Sequence, residues 1–276
     1  CHKRLWLEVH RRELIQDSAQ TESKFRVGNE VGLVAQRLYD PLGKGALIDA
    51  QAEGHESAMA RTQLLLSSGN PIFEAGFAAE GALAYADVML PMGKNGKRSW
   101  HMVEVKSSTS VKDYHRDDIA VQAYVARSAG VALKSIALAH IDSQWTYPGG
   151  DKYEGLLKEN DLTKESFARH DEVKEWVAKA QKIVAKKQEP AIQTGSHCSD
   201  PFECSFLAYC RSQEPQPKHA ISCLPNIRTN TLKSYIKDNE ITELSEVPDE
   251  LLNEIQQRVK THTLSGKVYF DAEGAA

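Results

Sequence analysis

Apolar positions along the chain change period several times, and each change marks an element. In "SKFRVGNEVGLVAQRLYD", Val27, Val31, Val34 and Leu38 recur at helical spacing. Gly28 and Gly32 lie one turn apart on that helix, a pattern that permits close approach to another backbone. "GHESAMARTQLLLSSGNP" predicts a second helix, ended by Gly69, Asn70 and Pro71. Three β-favouring runs follow: "IFEAGFAAE", "ALAYADVMLP" and "SWHMVEVKSS". The polar stretch "MGKNGKR" between the last two predicts a hairpin loop. Helical spacing returns in "YHRDDIAVQAYVARSAG", and "LKSIALAHI" predicts another strand. A polar insertion around "YPGGDKYEG" leads to the charged helix "HDEVKEWVAKAQKIVAKK". Its lysines form a solvated face or a track for phosphates. Beyond it lie a cysteine-rich stretch, a shorter helical region with "PDELLNEIQQRVKTH", and the ending "GKVYFDAEGAA".

The expected class is α/β: a mixed central sheet flanked by helices, plus a small helical C-terminal part. The expected boundaries are 1–223 for the main domain, 224–266 for a helical linker module and 267–276 for the start of another domain. The 276 residues are 41% hydrophobic and 26% charged, which suits a folded chain of this kind. A net charge of −4 neither predicts nor excludes nucleic acid, because binding needs only a local basic groove. No apolar run reaches membrane-spanning length and the start does not resemble a signal peptide. Five cysteines in this length do not suggest a secreted disulfide scaffold, so a cytoplasmic protein is expected. Opening on Cys1 rather than Met, the sequence reads as part of a longer one. Oligomeric state is left open.

Side chains two apart on a strand share a face, so Glu104 and Lys106 point the same way. Alone, such a pair is an ordinary surface ion pair. Antiparallel pairing across the predicted hairpin brings Asp87 opposite residues near 103 or 104, within one metal's reach of Glu104. Two carboxylates so placed repel unless a cation lies between them, and oxygen donors suit Mg²⁺ or Mn²⁺. Lys106 on the same face is placed to hold a water or neutralise charge on a phosphate. On the following helix, Asp118 and Gln122 are one turn apart.

"ADVMLP", "VEVKSS" and "DDIAVQAYV" together resemble the PD-(D/E)XK nucleases of the RecB type, related to the nuclease domains of RecB and AddB and to the CRISPR adaptation nucleases. The resemblance implies a restriction-endonuclease-like core in which Asp87 and Glu104 are metal ligands and Lys106 is the catalytic lysine. It also implies Gln122 as the helix residue facing substrate and the Val105 carbonyl as a further ligand. The family's helix motif is Gln-x-x-x-Tyr, whereas Tyr124 follows Gln122 by two residues. That puts the two roughly 200° apart on a helix, so Tyr124 is expected in the core. The family's first helix often carries a His or Glu one turn after a Gly. Here that position is Gly32, and Glu30 is the candidate extra acidic ligand, with pairing to Arg26 as the competing reading. Glu74 is a weaker candidate.

In "CSDPFECSFLAYC", Cys198, Cys204 and Cys210 are evenly spaced, with Phe202, Phe206 and Tyr209 as apolar cover. With remote Cys1 they make four ligands, enough for an iron–sulfur cluster or a structural zinc, while Cys223 is left over. Buried structural thiols are the alternative. Several RecB-like nucleases bind a four-iron cluster through one Cys before the core and three after it. The resemblance therefore implies a [4Fe-4S] cluster on Cys1, Cys198, Cys204 and Cys210 that clasps the chain ends. The gap from Cys198 to Cys204 is longer than usual, and His197 is a fallback ligand.

At the far end, Asp271 and Glu273 are expected to share a strand face. "CHKRLWLE", the cysteines and "YFDAEG" together resemble a bacterial family in which a RecB-like domain precedes an RNase H-like, DnaQ-type exonuclease domain. Asp271 and Glu273 are not counted as working residues. The expected function is a metal-dependent DNA nuclease, exonucleolytic, acting on single- or double-stranded DNA. The rivals are a non-catalytic nucleic-acid-binding module of the same fold and a zinc-stabilised interaction protein.

Overall fold

A computed structural model describes residues 1–93, 98–272 and 274. The chain divides into two units, Cys1–Phe206 and Leu207–Ala276. The first holds helices α1 (His2–His10), α2 (Ala19–Tyr39), α3 (Ala50–Glu53), α4 (His55–Leu65), α5 (Asp113–Ser128), α6 (Thr163–Ala168) and α7 (His170–Val184). Its strands are β1 (Ala46–Leu47), β2 (Ile72–Ala79), β3 (Ala82–Met92), β4 (Ser99–Lys106), β5 (Leu133–Ile141) and β6 (Leu157–Asp161). They form one mixed sheet in chain order. β2, β3 and β4 are antiparallel neighbours, as the three β-favouring runs predict. The centre of the β3–β4 hairpin loop lies outside the described residues.

β4 and β5 run parallel, so the chain must cross over between them, and α5 makes that crossing. Alanines at 120, 123 and 126 let α5 lie close on the sheet, where Ile119 and Tyr124 pack with Ile72, Met89, Trp100, Met102, Ile136 and Leu138. Tyr124 is thus core, as its spacing predicts. Full burial of each large aliphatic side chain there contributes about 1.5–3 kcal/mol. Phe73, Val88, Val103 and Ala139 form a separate cluster with Tyr39 and Leu157 packed against it. The Tyr39 hydroxyl donates to Glu159 at 2.7 Å, tying the end of α2 to β6. The architecture is α/β, a six-stranded mixed sheet with flanking helices.

Three short or polar elements carry no clear period in the sequence: α1, β1 and the charged edge strand β6. α1 is held by burial of Trp6 and Leu7, by the Trp6 indole donating to the Lys186 carbonyl at 2.8 Å, and by a Lys3–Glu189 ion pair. The N-terminal segment is therefore fastened to the end of α7 by packing and hydrogen bonds. The region read as one helix over "PDELLNEIQQRVKTH" is broken. A single 3₁₀ turn at Asp249–Leu251 precedes α10, whose capping box joins Asn253 and Gln256 reciprocally at 3.0 and 3.1 Å.

The second unit contains α8 (Leu207–Ser212), α9 (Asn230–Asp238) and α10 (Glu254–Ser265), and Leu224, Leu232, Leu244, Val247 and Leu252 form a buried cluster in it. The division falls before the boundary expected at residue 223. Residues 218–220 belong with the later segment: the Lys218 and His219 amides donate to the Glu243 carboxylate, and Ala220 bridges Glu243. The expected strand at "KVYFD" is not formed. Among the described residues no strand pairs with it, Val268 and Phe270 are exposed, and Tyr269 lies against His262 and Arg258. Glu273 lies outside the described residues. No helix among the described residues is long and apolar enough to cross a membrane.

Candidate active site

The β3–β4 register pairs Val88 with Val103, which sets Asp87 opposite Glu104 as the hairpin predicts. One strand further back, Phe73 pairs with Val88 and Ala75 with Ala86, so Glu74 stands opposite Asp87. Three neighbouring strands each contribute one carboxylate to a single row. The alternation of faces slips at this row. Ala86 packs in the α5-side core, whereas Val88, two residues on, packs in the other cluster. Glu74 has φ +56°, a left-handed backbone unusual for a non-glycine residue in a strand.

The side chains then interlock. Asp87 Oδ2 accepts the Val105 amide at 2.6 Å. Glu104 accepts from Lys106 Nζ on Oε1 and from Gln122 Nε2 on Oε2, both at 2.6 Å. Lys106 donates a second time, to Asp118 Oδ2 at 2.7 Å. α5 thus presents Asp118 and Gln122, one turn apart, to Lys106 and Glu104 of β4. Glu104 and Gln122 are 4% and 6% exposed, and Gln122 Oε1 is buried with no hydrogen-bond partner.

Burial and then repulsion from Asp87 push the Glu104 carboxyl up to about 8. Burial and then Glu74 push Asp87 up to about 6, against the favourable bond from Val105. Glu74 is raised by burial and by Glu104. Burial opposes the charge on Lys106, yet Glu104 and Asp118 outweigh it and raise its pKa. The site carries more carboxylate than its ammonium can balance, so a further cation is electrostatically favoured.

The row opens into a cleft of about 790 Å³, lined by Gly28 and Gly32, by Asp49 and Gln51, and by Glu74, Asp87, Glu104, Lys106 and Ser107 among others. The glycine pair on α2 does not seat another backbone as its spacing suggests. A Cβ at either position would meet nothing within 4 Å, so that helix face borders open space. Glu30 is exposed on α2, roughly 130° round from the centre of the cleft-lining face, and Arg26 reaches Ser23. Two participants were underweighted in the sequence. Glu74 is found only by counting the register one strand back, and Asp118 reads alone as a solvated helix residue.

Among the described residues, no group of three or more His, Cys, Asp and Glu is arranged to hold a metal ion as it stands. Glu104 Oε1 accepts from the Lys106 ammonium. The donor chemistry itself, all carboxylate oxygen with surplus negative charge, fits a hard divalent cation.

The cysteines fall in different surroundings. In the first unit Cys198 is buried and Cys204 half-buried, and the Cys204 amide donates to the Cys198 carbonyl at 2.8 Å. Cys1 is exposed at the start of α1. In the second unit Cys210 is buried on α8 and Cys223 is exposed.

No family model and no curated protein matches this chain. A solved structure described as "Crystal structure of SSO0001" is similar at 13% identity and a TM-score of 0.28, over 70% of this chain and 82% of that one. A likeness that remote carries no argument.

Proposed function

We propose that this chain is a metal-dependent DNA nuclease with a restriction-endonuclease-like, RecB-type PD-(D/E)XK core, hydrolysing phosphodiester bonds exonucleolytically in the cytoplasm. The observation that carries the reading is Lys106 bridging Glu104 and Asp118 at the mouth of a cleft, with Asp87 opposite Glu104. Support comes from the cleft lining, which joins the half-buried Asp87, the buried Glu104 and the Lys106 ammonium.

Mg²⁺ or Mn²⁺ held by Asp87, Glu104 and the Val105 carbonyl would supply a water of lowered pKa and neutralise charge on the phosphate. Lys106 adds a fixed positive charge on the same side, aimed by Asp118, to hold a phosphate oxygen or the attacking water. Gln122 keeps the Glu104 carboxylate from rotating by its bond to Oε2. Val105 does the same for Asp87 through its amide. Water adds to phosphorus as the leaving oxygen departs, one P–O bond made and one broken. Glu30, on another face of α2, has no part in this arrangement.

Under the same reading Cys1, Cys198, Cys204 and Cys210 bind a structural [4Fe-4S] cluster, with Zn²⁺ as the alternative. Support comes from the cysteine spacing and, within the first unit, from the burial of Cys198 and the backbone bond joining Cys204 to it.

A second reading, a non-catalytic DNA-binding module, is favoured by one observation: both Glu104 oxygens already accept hydrogen bonds from side chains, Oε1 from Lys106 and Oε2 from Gln122. End-labelled single- and double-stranded DNA incubated with Mg²⁺ or Mn²⁺ separates the two. Cleavage lost in Asp87→Ala and Lys106→Ala supports the nuclease. Binding without cleavage by the unmodified protein supports the module.

A further inference from the structure

The loop 142–156, between β5 and β6, takes no part in the arrangement above, yet it is long and internally braced. Asp142 donates to the Leu156 carbonyl at 2.8 Å, and the Trp145 indole to the Glu154 carbonyl at 3.0 Å. The Asp151 amide donates to the Tyr147 hydroxyl at 3.0 Å. Three aromatic rings gather on this frame. The three centroids form a near-equilateral triangle, with Trp145 and Tyr147 5.9 Å apart and Tyr153 at 6.2 and 5.5 Å from them, its plane within 20° and 28° of theirs. Tyr147 is 48% exposed. Trp145 and Tyr153 are half-buried in the cluster while the Tyr147 ring remains open to solvent, and loops of this length within a domain commonly carry function.

Position gives the rings a meaning. β4 and β5 are parallel, with Lys106 beside His140, and Ile141 donates to the Ser108 carbonyl at 2.9 Å. Both strands therefore end at one edge of the sheet. Ser107 lines the cleft at that edge, and the aromatic loop starts immediately after Ile141.

We propose that Trp145, Tyr147 and Tyr153 form a stacking platform for unpaired nucleobases on the loop that leaves the sheet at the cleft's edge. Bases offer flat faces of any sequence, and aromatic side chains hold them by stacking, which a paired base inside a duplex cannot offer. The inference rests on the nuclease reading for the identity of its ligand, not for its geometry.

The test is fluorescence anisotropy with a labelled oligothymidylate and a duplex of equal length, in EDTA so that nothing is cut. Tyr147→Ser and Trp145→Leu are each expected to weaken single-strand binding about tenfold, with duplex binding changed far less. Tyr147→Phe, which keeps the ring and loses its bond to Asp151, is expected to retain affinity. Hydrolysis of bis(p-nitrophenyl) phosphate with Mn²⁺ is expected to be unchanged in all three. Circular dichroism melts establish that each variant is folded. If Trp145→Leu fails to fold, Tyr147→Ser against Tyr147→Phe still decides. Unaltered single-strand affinity in folded variants overturns the platform, as does an equal loss for duplex. Ring-dependent binding by a protein that never cuts DNA sustains the platform while removing the nuclease reading.

Discussion

Gln122 on α5 donates its amide to the Glu104 carboxylate on β4 at 2.6 Å, while its own carbonyl oxygen is buried without a partner. An ordinary side-chain hydrogen bond contributes about 0.5–1.5 kcal/mol, and an orphaned acceptor costs about 1–3 kcal/mol. The two nearly offset, so Gln122 is poorly explained as a stability device. Gln122→Leu is therefore expected to leave thermal stability within about 1.5 kcal/mol, as the lost bond and the removed orphan compensate. Its cleavage rate is expected to fall roughly ten- to a hundredfold, or about 1.4–2.7 kcal/mol, because Glu104 loses its orientation. A melt and a rate on the same sample check both. A large loss of stability with an unchanged rate would reverse the assignment.

Lys106 and a divalent cation compete for the charge of Glu104. Lys106→Met is expected to bind Mn²⁺ at least as tightly as the unmodified protein, while cleaving DNA about a thousandfold more slowly, roughly 4 kcal/mol in the barrier. Asp87→Asn is expected to lose both. Calorimetric titration with Mn²⁺ supplies the affinity. As an independent readout, cation at a hundred times its dissociation constant should stabilise the unmodified protein by about 2.7 kcal/mol. A Lys106→Met protein with weakened Mn²⁺ binding would remove Glu104 from the ligand set.

The raised carboxyls give the metal-free protein an unusual pH dependence. Asp87 and Glu104 hold protons in the folded state, with pKa values of about 6 and about 8, at pH values where the unfolded chain has released them. Where the folded state binds more protons, stability falls as pH rises. The contribution is full below the ordinary carboxylate range and is lost on passing through about 6 and then about 8. Melts in EDTA from pH 5 to 9 should show this decline, and Glu104→Gln should flatten its upper part. Glu159 acts in the opposite sense, being held low by His101 despite burial, so its contribution fades only as pH falls below the carboxylate range. A melting temperature independent of pH across the window would mean that Glu104 is solvated.

Sequence reasoning reached the β3–β4 pairing because its carriers are local: an alternating run, a polar turn and a second run fix one register. The shared face of Asp118 and Gln122 was also legible from their one-turn spacing, whereas the bond from Lys106 to Asp118 depends on where α5 lies against β4. What escaped depends on non-local geometry. Glu74 joins the row only through the β2–β3 register and a left-handed residue that shifts the facing pattern. The glycines of α2 look alike in sequence whether they seat a neighbouring backbone or border open space, and here they border a cleft. The charged edge strand β6 has no apolar period to reveal it.

The cysteines offer the last separation. Cys198 is buried in the first unit and Cys210 in the second, whereas Cys223 is exposed on a 3₁₀ turn. If spacing rather than burial selects the ligands, Cys1 belongs with them although it is exposed. Anaerobic purification is expected to give a brown protein with about four iron atoms and four labile sulfides per chain, the content of a single [4Fe-4S] cluster. Cys198→Ala and Cys1→Ala should each lose most of that iron, and Cys223→Ala should keep it. Because Trp6, Leu7 and the Lys3–Glu189 pair already fasten α1, loss of the cluster through Cys1→Ala should lower the melting temperature without unfolding the first unit. Zinc in place of iron would keep the clasp and change its metal. A protein with neither metal, and unaffected by Cys1→Ala, would make these thiols packing residues.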